Sequence, residues 1–197
     1  MDRQYRLALM ILLIPLLTLT ASTLTYFFGY KPTINTKGIP IEPKIEISDI
    51  NLITENGDEF QFTPGKFYFV YFDNFNDLEL SKEKYNVARS SKLTLRREGH
   101  RLLRIVVYND KDQFNSAEEL RANYPGVIYL YDKGDLFKNK TEGRLQDPYV
   151  SNSLLLVDSF ALLVWEFQSE LTFNDVFEEI KQILWKFLIQ KISQQLV

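Results

Sequence analysis

The stretch Asp73-Asn74-Phe75-Asn76-Asp77, with Glu79 close behind, gathers three carboxylates and two amides within seven residues. Carboxylates bind hard cations or move protons. These three lack the regular ligand spacing of a calcium loop, so they are expected to act as solvated caps. A residual enzymatic site built on Asp73, Asn74, Asn76 and Asp77 is the chemical alternative. The single histidine, His100, excludes a multi-histidine metal centre and leaves little for a catalytic triad. Its place near a helix C-terminus, where the helix dipole favours His, reads as an ordinary surface position. No G-x-S-x-G, Walker lysine motif or G-x-G-x-x-G occurs. With no cysteine, the chain has no disulfide, thiol redox chemistry, cysteine nucleophile, thiolate zinc site or cysteine-ligated cluster. Its two methionines, Met1 and Met10, stand in the N-terminal segment, so the remainder carries no sulfur ligand for copper. No catalytic residue, metal ligand or cofactor is expected.

Charge narrows the partners. The chain has 197 residues, 23 Lys plus Arg against 26 Asp plus Glu, and a net charge of −3. That balance argues against a dedicated nucleic-acid binder. The most basic run, Arg96-Arg97-Glu98-Gly99-His100-Arg101 with Arg104 nearby, could meet headgroups or nucleic acid. Its interleaved glutamate favours a solvated helix end. With 45% apolar and 25% charged residues the chain is globular.

The elements that must position these residues begin with an apolar segment. Between Arg6 and Lys31 lie 24 residues without a charge, with the core LALMILLIPLLTL at 7–19. As a helix they reach about 36 Å, enough for a hydrocarbon core of about 30 Å. Pro15 is tolerated in such a helix, and Tyr26, Phe27, Phe28 and Tyr30 suit the far interface. Arg3, Arg6 and the terminal amine precede the span, which predicts a cytoplasmic N-terminus and an external remainder. A signal peptide cleaved near Ala21-Ser22-Thr23 is the competing reading, with a weaker pattern. Residues 1–30 are thus expected to be a transmembrane anchor. Residues 31–44, with three prolines and a glycine, should be an extended linker. Residues 45–197 should form one domain. Asp2, Arg3 and Arg6 give the first 30 residues +1, leaving −4 for the rest, which gives no reason to expect attraction to anionic lipid.

Within the domain, 46–62 predicts a hairpin turning at Asn56-Gly57. The run FYFVYF at 67–72 predicts a strand buried on both faces, and its aromatics read as core rather than as a base-stacking platform. A helix follows over 78–97, with Leu80, Lys84, Tyr85, Val87, Ala88, Ser91 and Leu95 near one side and Gly99 as its stop. A strand is expected at 102–108, a short helix at 114–122 capped by Asn115 or Ser116, and a strand at 127–131. Residues 132–150 read as loop, and 153–158 with 162–167 as an antiparallel pair. The last helix, 174–194, is capped by Asn174 and carries the stripe Val176, Phe177, Ile180, Ile183, Leu184, Phe187 and Leu188. Trp185 and Ile189 lie off that stripe and are candidates for binding a partner or the membrane. Strands alternating with helices predict an α/β domain on a mixed sheet, with an N-terminal hairpin extension and a C-terminal helix.

The segment NGDEFQFTPGKFYFVYF (56–72) resembles the opening of membrane-anchored thioredoxin-fold proteins, including peroxiredoxin-like thiol oxidoreductases and Sco-type copper chaperones. Gly65-Lys66 before the strand, KYNVAR at 84–89, RLLRIVV at 101–107 and SNSLLLVDSFALLVWEF at 151–167 are similar to small bacterial single-pass proteins of cytochrome c oxidase assembly. The resemblance implies a thioredoxin-like fold in a bacterial inner membrane, with the domain in the periplasm. It also implies a cysteine pair between the first core strand and the next helix. Those positions fall near Asn76 and Leu80, which can neither attack as thiolates nor hold copper. The proline expected before the penultimate strand is replaced by Ser151-Asn152-Ser153, with Pro148 too early. His100 is misplaced for the Sco metal histidine. The expectation is a non-enzymatic assembly or interaction factor, with oxidase subunits or copper-delivery factors as partners and no nucleic acid. The alternative is a degenerate thioredoxin-fold enzyme, or a thiol- or copper-handling relative, with a polar residual site.

Overall fold

The computed structural model describes residues 3–27 and 36–195, with side chains at 11–24, 36–185 and 187. It forms two units, Met1–Asn35 and Thr36–Val197. In the first, helix α1 runs Arg3–Phe27 with Pro15 inside it. Thr18 returns its hydroxyl to the Pro15 carbonyl (2.9 Å) and Thr20 to Leu16 (2.6 Å), so these polar side chains satisfy themselves along the helix. The stretch with described side chains, 11–24, measures only about 21 Å as a helix. Among the described residues no helix is long and apolar enough to cross a membrane. Phe28 and Tyr30 of the expected aromatic belt lie outside the described residues.

The second unit is built around strand β3, Phe67–Phe72, whose six residues are all buried. Successive strand side chains point to opposite faces. Phe67, Phe69 and Tyr71 enter one core, and Tyr68, Val70 and Phe72 enter the other. The first core is closed by helices α2 (Leu78–Thr94), α3 (Lys111–Ser116), α4 (Glu118–Ala122) and α7 (Phe173–Gln195). The second is closed by α5 (Leu136–Thr141), α6 (Pro148–Ser151) and Ile47, Ile50 and Leu52. With β1 (Ile39–Glu46), β2 (Ile53–Thr54), β4 (Leu102–Tyr108), β5 (Ile128–Tyr131), β6 (Leu154–Val157) and β7 (Leu162–Phe167), the sheet order is β1-β7-β6-β3-β4-β5-β2. β4 and β5 run parallel to β3 and to each other in turn. The other pairings, β3·β6, β6·β7, β1·β7 and β2·β5, are antiparallel.

Several expectations change. Residues 39–44 are not spacer: they belong to β1, which pairs with β7 at the sheet edge. Pro40 and Pro43 are tolerated because an edge strand can lack ladder donors, and the register slips between Pro40 and Ile45. Gly38 lets this strand approach, since a Cβ there would stand 2.5 Å from Trp165 Nε1. The Asn56-Gly57 turn forms, but it closes only the Ile53–Glu59 bridge, and β2 pairs with β5 instead of with a long hairpin partner. α2 stops at Thr94 and a 3-10 turn follows over Arg96–Arg101. Gly99 lies inside that turn and is required by contact, because a Cβ would meet the Lys92 carbonyl oxygen at 2.2 Å. The helix expected from 114 begins at Lys111 on Asp110, whose carboxylate accepts from Asp112 N and Gln113 N. Residues 132–150 contain α5 and α6. Buried Asp132 accepts from Phe137 N and Lys138 N and so caps α5 from outside its own sequence start. α7 begins on Thr172 and not Asn174: Thr172 and Asp175 exchange side-chain-to-backbone hydrogen bonds as in a capping box.

Candidate functional site

The C-terminal end of β3 delivers the chain to the N-terminus of α2 through residues 73–77. A central strand feeding a helix N-terminus is where backbone donors and the helix dipole stabilise an anion. Asp73 is buried there. Its Oδ1 accepts from Phe75 N (2.7 Å) and Ser81 Oγ (3.0 Å), and its Oδ2 accepts from Tyr85 OH (2.6 Å). Burial pushes the Asp73 carboxyl up, and the three donors only partly offset this. The Tyr85 hydroxyl is pushed up by burial and by the Asp73 charge. The Phe75 backbone is left-handed (φ 55°), a strained conformation for an aromatic residue that the Asp73 hydrogen bond holds.

The remaining polar groups are engaged locally. Asn74 Oδ1 accepts from Asn76 N, and Asp77 Oδ1 accepts from Glu79 N and Leu80 N, each at 3.1 Å. Asp77 is therefore the N-cap of α2. Glu79 turns away to pair with Lys82 at 2.7 Å. Asn76 is exposed and precedes the cap, while Leu80 is half-buried in the first helical turn. The side chains that enter the network from this helix are Ser81 and Tyr85. Ser81, Tyr85 and Asp73 were legible as polar residues, but their joining was not. The available signal was the four-residue spacing of Ser81 and Tyr85, which puts them on one helix face.

Across from this end stands the loop before β6. Pro148 begins α6, and Asn152 is left-handed (φ 52°). The Tyr71 hydroxyl donates to Asn152 Oδ1 (3.3 Å), and burial pushes that hydroxyl up. The Ser151–Ser153 stretch thus presents an amide to β3 where a proline was expected.

Asp73, Asp77 and Glu79 do not converge. Among the described residues no group of three His, Cys, Asp or Glu could hold a metal ion. His100 is exposed, with Nδ1 2.6 Å from the Arg97 carbonyl oxygen at the end of the 3-10 turn. Arg101 pairs with Glu98 (3.3 Å) and lies over the Phe67 ring.

On α7, Val176, Ile180, Ile183 and Leu184 are buried as the stripe predicted. Trp185 is 62% exposed. It borders a cleft of about 440 Å³ with Leu95, Phe177, Lys181 and Leu184. The side chain of Ile189 lies outside the described residues.

No family model matches the sequence, and no curated protein matches it. Solved structures do. Copper-bound yeast Sco1 superposes with a TM-score of 0.56 at 20% identity, covering 78% of this chain and 94% of that one. BsSco, described as a member of the Sco family of cytochrome c oxidase assembly proteins, gives 0.52 at 14% identity over 71% and 94%. A SCO1/SenC family lipoprotein from Bacillus anthracis gives 0.53 at 8% identity over 72% and 98%. At these identities the likeness establishes the fold: an α/β thioredoxin-like domain with a mixed sheet. Its structural neighbours include Sco/SenC proteins and thiol-disulfide oxidoreductases, and this chain has no cysteine.

Proposed function

We propose that this chain is a non-enzymatic, single-pass assembly or interaction factor in cytochrome c oxidase biogenesis. The observation that carries the reading is a Sco-like scaffold whose functional helix end holds no sulfur. At that end Asp77 caps the helix and Asp73 is enclosed by Phe75 N, Ser81 and Tyr85. Asn76 and Leu80 are the positions we assign to the missing thiols, and neither can supply a thiolate. Without a thiol pair or a histidine beside it, the role this reading leaves to the scaffold is recognition of a partner. The neighbours described as cytochrome c oxidase assembly proteins and as a lipoprotein support that assignment.

The 24 uncharged residues after Arg6 support a bilayer anchor with its N-terminus in the cytoplasm of a bacterium and the domain in the periplasm. The exposed Trp185, with Ile189 further along the same helix, is then the candidate surface for partners such as oxidase subunits or copper-delivery factors. The test is co-purification of tagged chain from detergent-solubilised membranes. Oxidase subunits or copper-delivery factors should come with it, and deletion should lower oxidase activity. Recovery of neither partner, with oxidase activity and haem spectra unchanged on deletion, removes the oxidase assignment.

A further inference from the structure

We infer that the pole of the domain formed by the end of α2, the 3-10 turn and the starts of β3 and β4 docks on an anionic phospholipid surface. Residues 89–104 carry six Arg and Lys against one acid, Glu98, which is paired with Arg101. The fold adds a seventh cation from a distant part of the sequence, because Lys66 Nζ donates to the His100 carbonyl (3.1 Å). These charges share one region. Lys92 is pushed down by burial and by the charges of Arg104 and Lys66, and Arg104 by burial and Arg89. Among the described residues Lys66, Arg89, Lys92, Arg96 and Arg97 form no ion pair, whereas Arg101 pairs with Glu98. An unneutralised cluster is self-repulsive, and a dense phosphate surface relieves that repulsion. The domain as a whole is acidic, so the pole is a segregated patch rather than a consequence of composition.

Apolar groups flank the cations. Leu93, beside Lys92, is 67% exposed, and Trp185 is 62% exposed across the cleft from Leu95. Lys181 lines the same cleft, and its neighbour on α7, Glu178, lies 3.6 Å from its ammonium. Exposed Trp and Leu beside the cations of the 3-10 turn form a composition that suits a bilayer interface, with Glu98 as the acid in the cleft lining. The inference rests on the proposed anchor only for proximity.

The test uses the full chain carrying W165F, so that Trp185 is the sole indole. It is mixed with phosphatidylcholine vesicles, with or without 30% phosphatidylglycerol, containing a headgroup-proximal doxyl quencher, and flotation is scored in parallel. Quenching of Trp185 should be at least twofold stronger with phosphatidylglycerol, and R96E/R97E should abolish the difference. Each cation near such a surface is worth roughly fivefold in affinity. Flotation with both lipids but equal quenching overturns the inference while leaving the anchor intact. Flotation only with phosphatidylglycerol, lost in R96E/R97E, supports the inference and removes the anchor. Absence of flotation with either lipid overturns both. Displacement from phosphatidylglycerol vesicles by saturable binding of a duplex oligonucleotide or an acidic protein assigns the pole to that partner and overturns the inference.

Discussion

Removing the Asp73 carboxylate isolates what the network beneath the α2 N-terminus contributes. Asp73→Ala leaves Tyr85 OH and Phe75 N without their acceptor, while Ser81 Oγ keeps the Asp77 carbonyl at 3.0 Å. A buried donor left unsatisfied costs about 1–3 kcal/mol, so two such donors predict a loss of about 3 kcal/mol. Asp73→Asn keeps an acceptor for Phe75 N and its amide can donate to the Tyr85 oxygen, so only the Tyr85 hydroxyl hydrogen is left unpaired and the cost should be about 1–2 kcal/mol, below that of alanine. Urea unfolding of the domain 36–197, which contains both cores, reads the difference through Trp fluorescence. With a slope of about 2 kcal/mol/M, the alanine variant should unfold about 1.5 M earlier. The pH dependence has a definite sign. The folded carboxyl is raised above its unfolded value of 3.8, so its favourable contribution is complete at low pH and is lost as pH rises through the folded pKa. Wild type should therefore lose ground to Asp73→Asn as pH increases from 4 to 8. Equal losses in the two variants, or a gap that moves the other way with pH, would refute the network as drawn.

Other perturbations follow from single contacts. Gly99→Ala forces a Cβ against the Lys92 carbonyl and should destabilise by about 2 kcal/mol, measured by urea or thermal unfolding. Asp77→Ala removes the α2 N-cap and should cost about 1 kcal/mol in the same assay, with Asp77→Asn largely restoring it. Asp175, held at about 2 by Lys37 and Thr172, should titrate closer to the ordinary carboxylate range in Lys37→Ala, as read by carboxyl NMR shifts. Because the folded value is depressed, the interaction is present at neutral pH and lost as pH falls through it.

The central architecture was readable because its signals are physical and local. FYFVYF had to be a two-faced strand, LLRIVVY its neighbour, and the leucine-rich pair 153–167 a hairpin, and each is found so. What escaped reading depended on partners far along the chain. β1 has the composition of a linker and becomes a strand only because β7 offers it an edge. Asp132 caps a helix that its charged surroundings disguise as loop. Glu179 of α7 accepts from Lys37 N and Gly38 N, some 140 residues away, and so ties down the start of the domain. At the candidate site, the absence of sulfur was visible as composition. The enclosure of Asp73 by Ser81 and Tyr85 required the helix to be placed against the strand. The basic pole was half visible as the run 96–101 with Arg104 nearby, and only the fold brings Lys66 and Lys92 to it.

The central proposal is that a thioredoxin-like scaffold similar in fold to copper-bound Sco1 serves here without copper or thiol chemistry. A Cu(I) titration of the purified domain 36–197 against a competing chelator tests it directly. The domain contains neither Cys nor Met and has one His, which predicts no stoichiometric site tighter than micromolar. A one-to-one site of submicromolar affinity would contradict the account.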